Sequence, residues 1–220
     1  MGRILGVLGG MGPAATLAFL TRVQALTPAS RDEDHIRVIA DINPQVPNRH
    51  TQPEAAGRTL GEMARALKTA GAEILAMPCN TAHAHAEAIR AAGLPFIDMV
   101  AETARAAGAA GARRIGVLAT PGGEALYAAA LAAEGLEMVA PSPADRERFM
   151  RVVFGVKAGD LGEGQRAAMR EMAEALVAAG AEAVIGGCTE VPLLLAAEAV
   201  PVPLIDSAEV LARACVAACR

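Results

Sequence analysis

Aromatic side chains are nearly absent from this sequence: there is no Trp, one Tyr and four Phe in 220 residues. Positive charge is also scarce, with 20 Lys and Arg against 24 Asp and Glu, a net charge of −4 and no basic run. Nucleic-acid binding calls for a basic stripe, and single-strand binding for stacking aromatics, so both are excluded. Only four cysteines occur. That is too few for a disulfide-dense secreted scaffold, and they read as reduced thiols of a cytoplasmic protein. The longest uncharged stretch, Ile4 to Thr21, is interrupted by Gly6, Gly9, Gly10, Gly12 and Pro13. Those residues break a spanning helix at its middle, so no membrane partner is expected. No linker rich in Pro, Gly or Ser divides the chain. What is abundant is apolar residue: 53% of the chain is hydrophobic and 20% charged, enough to bury a real core and to exclude global disorder.

Short apolar runs alternate with Ala-rich helical stretches. Strands are expected at Ile4–Leu8, Ile36–Asp41, Ile74–Met77, Phe96–Ile97, Arg114–Leu118, Met138–Val139, Val184–Ile185 and Leu204–Ile205. Helices are expected over Pro13–Leu26, Glu54–Ala70, His83–Ala92, Val100–Ala109, Glu124–Glu134, Glu163–Ala179 and Ala208–Cys219. Runs that are apolar without alternation suit strands covered on both faces. Strand–helix alternation then predicts an α/β protein with mainly parallel sheets flanked by helices.

An internal repeat sets the organisation. Gly6-Val7-Leu8-Gly9-Gly10 returns as Gly116-Val117-Leu118-Ala119-Thr120. Ala70-Gly71-Ala72-Glu73, five residues and Cys79 return as Ala179-Gly180-Ala181-Glu182, five residues and Cys188. Pro95-Phe96-Ile97-Asp98 returns as Pro203-Leu204-Ile205-Asp206. Three matches in one order at nearly one offset predict two pseudo-symmetric α/β halves with a cleft between them. The period is far too long for a solenoid. The expected division is 1–99 and 100–206, with 207–220 a candidate to pack back on the first half.

Each half places a cysteine just after a strand, where open parallel sheets bind ligands. The segments read Met77-Pro78-Cys79-Asn80-Thr81-Ala82-His83 and Gly186-Gly187-Cys188-Thr189-Glu190-Val191-Pro192. A helix N-terminus just beyond would stabilise a thiolate and lower the thiol pKa. It would also receive a carboxylate. Asn80, Thr81 and Thr189 suit capping and ligand hydrogen bonds alike. Two matched thiols on opposite sides of one carbon suit stereochemical inversion: one removes a proton while the other delivers one to the opposite face. Cys215 and Cys219, on an Ala-rich terminal helix, read as packing.

These segments, with the opening Gly9-Gly10-Met11-Gly12-Pro13, resemble the aspartate racemases of the aspartate/glutamate racemase superfamily. Asn43-Pro44-Gln45-Val46-Pro47-Asn48-Arg49, Leu118-Ala119-Thr120 and Gly155-Val156-Lys157-Ala158-Gly159 extend the likeness over essentially the whole chain. The resemblance implies racemisation without pyridoxal phosphate, metal or other cofactor, by two cysteines, in a homodimer. It implies Cys79 and Cys188 as the acid/base pair. Asn80, Thr81, Thr120 and Thr189 would hold the α-carboxylate and amino group. Arg49 and Lys157 would hold a distal carboxylate, and Lys157 is one of only two lysines, beside Lys68. Met11 and Glu190 complete the substrate-binding positions so implied. Glutamate racemases of the superfamily usually carry Gly-Cys-Thr-His and an Asp-Ser-Gly opening. Glu190 after Thr189, and Gly9-Gly10-Met11, move the expectation toward aspartate.

Other readings stay open at this point. Gly10-Met11-Gly12-Pro13-Ala14-Ala15 fits a dinucleotide fingerprint, although it leaves the paired cysteines unexplained. Cys79, His83, His85 and Cys188 form a candidate metal set without a tight Cys-x-x-Cys pair. A racemase of another amino acid such as glutamate, a Schiff-base enzyme using Lys157 or Lys68, and a two-lobed small-molecule binding protein without catalysis remain alternatives.

Overall fold

A computed structural model describes residues 2–220. In chain order it forms β1 (Leu5–Gly9), α1 (Pro13–Leu26), β2 (Val38–Ile42), α2 (Pro53–Thr69), β3 (Ile74–Ala76), α3 (Ala86–Arg90), β4 (Phe96–Ile97) and α4 (Met99–Ala109). There follow β5 (Arg114–Leu118), α5 (Pro121–Ala133), β6 (Glu137–Val139), α6 (Pro143–Lys157), α7 (Glu163–Ala178), β7 (Ala183–Gly186), α8 (Val191–Leu194), β8 (Leu204–Asp206) and α9 (Ser207–Cys219). The strands make two four-stranded sheets, ordered β2-β1-β3-β4 and β6-β5-β7-β8. Every pairing is parallel. The chain divides into two compact units, 1–102 with 208–220, and 103–207.

The repeat read from the sequence falls on matched places. Gly6-Val7-Leu8 lies in β1 and Gly116-Val117-Leu118 in β5. Pro95-Phe96-Ile97-Asp98 and Pro203-Leu204-Ile205-Asp206 form β4 and β8 with their flanks. The Ala-Gly-Ala-Glu copies have a physical job. Gly71 and Gly180 end α2 and α7 with φ of +102° and +94°, a conformation that glycine adopts without a Cβ clash. Ala72 N–H then bonds to Leu67 O, and Ala181 N–H to Leu176 O, each at 3.0 Å. The glutamates that follow accept from the N–H just before the neighbouring strand: Glu73 from Ile4 at 2.8 Å, and Glu182 from Arg113 at 2.6 Å.

In the first unit both sheet faces are covered. Leu60, Ala64 and Leu67 of α2 with Ile89 of α3 bury one face against Leu8, Leu75 and Met77. Phe19 and Val23 of α1, with Leu211, Ala212, Cys215 and Cys219 of α9, bury the other against Leu5, Val7 and Ile74. In the second unit Phe149, Val152, Val153 and Val156 of α6 and Met169, Met172 and Leu176 of α7 pack on Leu118 and Val184. The sequence reading had no helix at 143–157. It is a full one, opened by Ser142, whose Oγ accepts from Asp145 N–H at 3.1 Å, and by Pro143 in its first turn. Its apolar residues recur at helical spacing, but its six charged side chains mask them. Lys157 is thus the last residue of a helix. The expected helix at His83–Ala92 is two shorter pieces, a 3-10 turn Thr81–His85 and α3. No helix among the described residues is long and apolar enough to cross a membrane.

Candidate active site

A strand order of 2-1-3-4 means that the chain leaves β1 toward one edge and returns to build toward the other. Ligands bind outside the carboxyl ends of the two strands at which that direction switches. In the first unit those strands are β1 and β3, which lead into Gly10-Met11 and Met77-Pro78-Cys79. In the second they are β5 and β7, which lead into Ala119-Thr120 and Gly187-Cys188.

In the first unit the cysteine loop is pinned atom by atom. Cys79 N–H donates to Met77 O at 2.8 Å, closing a three-residue turn about Pro78. His83 N–H donates to Asn80 O at 3.0 Å. The His83 ring is buried, with Nδ1 2.9 Å from Cys79 O and Nε2 accepting from Met99 N–H at 3.0 Å. Because Nε2 accepts, the proton belongs on Nδ1, which donates to the Cys79 carbonyl. Burial lowers the ring's pKa, outweighing the Asp98 carboxylate that raises it, so His83 is neutral.

The β1 loop is equally tight. Gly10, at φ +98°, lies against the Asn43 backbone so closely that a Cβ would fall 2.3 Å from its carbonyl carbon. Gly10 N–H bonds to Thr16 Oγ1 at 2.9 Å. Met11 is buried in the same cluster as Cys79, Val46 and Met63. Arg49 follows Asn48, whose Oδ1 accepts from His50 and Thr51 N–H. The Arg49 Nε and His85 Nε2 atoms are buried without a hydrogen-bond partner. Burial first, and then the Arg49 charge, lower the His85 pKa.

In the second unit the Cys188 thiol donates to Glu190 Oε2 at 2.9 Å. Thr189 Oγ1 reaches the same oxygen at 3.4 Å, and Lys157 Nζ lies 3.9 Å from Glu190 Oε1. Burial, and next the Glu190 charge, push the Cys188 thiol well above its ordinary pKa; Lys157 acts the other way as a smaller cause. The sequence expectation of a lowered thiol pKa is overturned at this residue. The helix beyond, α8, is a single turn, and the carboxylate of the residue that opens it lies on the thiol. Glu190, expected to touch substrate, has its carboxylate on the thiol.

Thr120 Oγ1 caps α5 by accepting from Gly123 N–H at 3.3 Å. Buried Glu124, four residues on, is clasped by Arg146 Nε at 2.8 and 3.1 Å. The sequence reading missed this pair, because Arg146 comes from the helix it did not find. Ser207 Oγ donates to Gly186 O at 2.7 Å and fixes the end of β7.

The expected site residues thus fall into two sets. Met11, Cys79, Asn80 and Thr81 lie just beyond strand ends of the first sheet and Arg49 in its β2–α2 loop, and Thr120, Cys188, Thr189 and Glu190 lie just beyond strand ends of the second, with Lys157 reaching Glu190. Cys215 and Cys219 lie in the α9 core face. All four thiols are free. No group of three or more His, Cys, Asp or Glu is placed to hold a metal ion among the described residues.

The family model described as Asp/Glu/Hydantoin racemase matches residues 8–215. The broad specificity amino-acid racemase RacX of Bacillus subtilis (strain 168) is 27% identical over 97% of this chain and 96% of its own. Among solved structures, Picrophilus torridus aspartate racemase superposes with a TM-score of 0.84 at 27% identity, covering 99% of this chain and 94% of that one. An aspartate racemase homologue from Pyrococcus horikoshii OT3 gives 0.82 at 26% identity, covering 99% and 98%.

Proposed function

The chain belongs to the Asp/Glu/hydantoin racemase family, and from that premise we propose that it interconverts L- and D-aspartate without a cofactor, using Cys79 and Cys188 as its two bases. One observation carries the reading. Two sheets of identical strand order each lead from their third strand into a loop that carries a cysteine, at the point where the strand order switches.

In this scheme one sulfur takes the α-proton as a thiolate while the other, as a thiol, gives its proton to the opposite face. One S–H bond forms, one breaks, and no electrons leave the substrate. Cys188, held protonated by burial and Glu190, rests as the acid. Cys79 is then the base for the enantiomer whose α-hydrogen faces it. In the reverse direction Cys188 must become a thiolate. Its proton passes along the existing 2.9 Å contact to Glu190 while the Cys79 thiolate takes a proton from solvent, leaving a neutral acid beside the Cys188 thiolate rather than a second anion; Glu190 returns its proton to solvent after turnover. General acid–base assistance of this kind is worth roughly 10²–10⁴-fold. Thr120, Asn80, Thr81 and Thr189, with the backbone N–H groups of the two cysteine loops, hold the α-carboxylate and stabilise the charge that develops on it. A side-chain carboxylate would satisfy the unpartnered Arg49 Nε, and Arg suits that ligand better than a point charge does. Lys157, already turned toward a carboxylate, completes the clasp.

The test is proton NMR of chelator-treated protein in deuterated water with each enantiomer of aspartate and no added cofactor. Deuterium at the α-carbon together with the opposite enantiomer supports the whole reading. Exchange on glutamate or another amino acid, but not on aspartate, keeps the mechanism and replaces the substrate. The broad specificity for which the Bacillus relative is named makes a panel of amino acids worthwhile. No exchange on any amino acid sinks the proposal.

A further inference from the structure

We propose that His83 is a positioning residue: a neutral imidazole that holds the Cys79 peptide carbonyl, and so aims the Cys79 sulfur. The inference rests on the reading of Cys79 as a base, and it adds a residue to which that reading gives no task.

The contacts are specific. Cys79 is fixed on both sides, by its N–H on Met77 O at 2.8 Å and by its C=O on His83 Nδ1 at 2.9 Å. The ring is fixed in turn. Met99 N–H enters Nε2 at 3.0 Å, and Phe96 stacks on the ring with centroids 5.3 Å apart. Met99 opens α4, whose first N–H groups need acceptors. Asp98 Oδ1 serves Val100 and Ala101, each at 3.1 Å, and His83 serves Met99. Asp98 Oδ1 lies 3.9 Å from Nε2, but it already serves that helix end, and Asp98 Oδ2 is held by Arg90 at 2.8 Å. A protonated Nε2 would confront the Met99 N–H at the positive end of a helix, which keeps the ring in one tautomer.

The repeat shows that the fold alone does not require a histidine here. In the second unit the position matching His83 is Pro192, and that unit closes the same strand, cysteine and turn without an imidazole. There the Cys188 carbonyl accepts from Val191 N–H at 2.9 Å. Two unrelated donors thus hold the same atom of the two cysteines. What the halves share is the need to fix the carbonyl, not the group that fixes it.

The test uses two amides that each keep one half of the imidazole's bonding. In His83→Asn the side-chain amide nitrogen falls where Nδ1 was and donates to Cys79 O. In His83→Gln the amide oxygen falls where Nε2 was and accepts from Met99. Long-range proton–nitrogen NMR of the wild type is expected to show Nδ1–H for this ring. With carbonyl-labelled cysteine, the Cys79 signal stays in place in the Asn variant and moves in the Gln variant. The kcat for racemisation holds in Asn and falls about a hundredfold in Gln, the scale of an error of about 1 Å at a reacting group, with KM little changed. An Nε2–H tautomer, a Cys79 carbonyl signal unmoved in Gln, or rescue by Gln rather than Asn overturns the proposal; either of the last two leaves His83 as an anchor for α4. The two NMR readings need no substrate. Failure of the racemase reading would therefore silence only the kinetic arm.

Discussion

At the scale of single residues, the two cysteines have matched positions and unmatched surroundings. Cys79 is held by its peptide group and has a neutral ring behind it, whereas Cys188 carries a carboxylate on its sulfur. Replacing either by serine should abolish racemisation while leaving the circular dichroism spectrum unchanged. Each single variant should still exchange the α-proton of one enantiomer with deuterated solvent, and the two variants should choose opposite enantiomers. Exchange of both enantiomers by one variant would end the two-base scheme. Glu190→Gln tests the asymmetry. The Glu190 charge raises the Cys188 pKa, so its removal should bring that pKa down. Thiolate alkylation of Cys188, followed by mass spectrometry, should then begin at lower pH in the variant than in the wild type. Racemisation should slow most in the direction that needs Cys188 as base. An alkylation profile that did not move would mean that burial alone sets the thiol.

At the scale of elements, close approach explains much of the local sequence. Gly187 lies between β7 and α5, where a Cβ would stand 2.7 Å from the Tyr127 ring and 3.0 Å from Ala119 Cβ. Gly187→Ala should therefore cost about 1–3 kcal/mol in denaturant unfolding, the usual penalty for overpacking. It should also weaken catalysis by displacing the neighbouring Cys188. The strands and the repeat were legible because a buried parallel strand is an unbroken apolar run, and β5 lies where its sequence says. α6 was not legible. Phe149, Val152, Val153 and Val156 have helical spacing, but Arg146, Glu147, Arg148 and Arg151 among them dilute the apolar signal. That omission hid the Glu124–Arg146 clasp and left Lys157 outside every expected helix. The sense of the Cys188 pKa shift was out of reach as well. It depends on which way one carboxylate turns, and a string of letters does not carry that. His83 was weighed as a metal ligand or an ordinary helix residue, because its partner Met99 is sixteen residues away.

At the scale of the molecule, the second unit is one continuous stretch, 103–207, while the first is completed only by 208–220. Leu211, Ala212 and Cys215 of α9 are fully buried against the face of β1 that also receives Phe19 and Val23. A polypeptide of residues 103–207 should fold alone and give a cooperative melt. Residues 1–102 alone should expose that apolar face and bind a hydrophobic dye, and a synthetic α9 peptide should reverse the binding. A cooperative melt of 1–102 without the peptide would contradict this. The same discontinuity bears on how the protein is born. Domains ordinarily fold in the order in which they leave the ribosome. Here the half that is translated first must wait with one side of its sheet only partly covered, by α1, until α9 emerges, while the half translated second already holds everything it needs. The unfinished first half is thus the part of the nascent chain that a chaperone would hold longest.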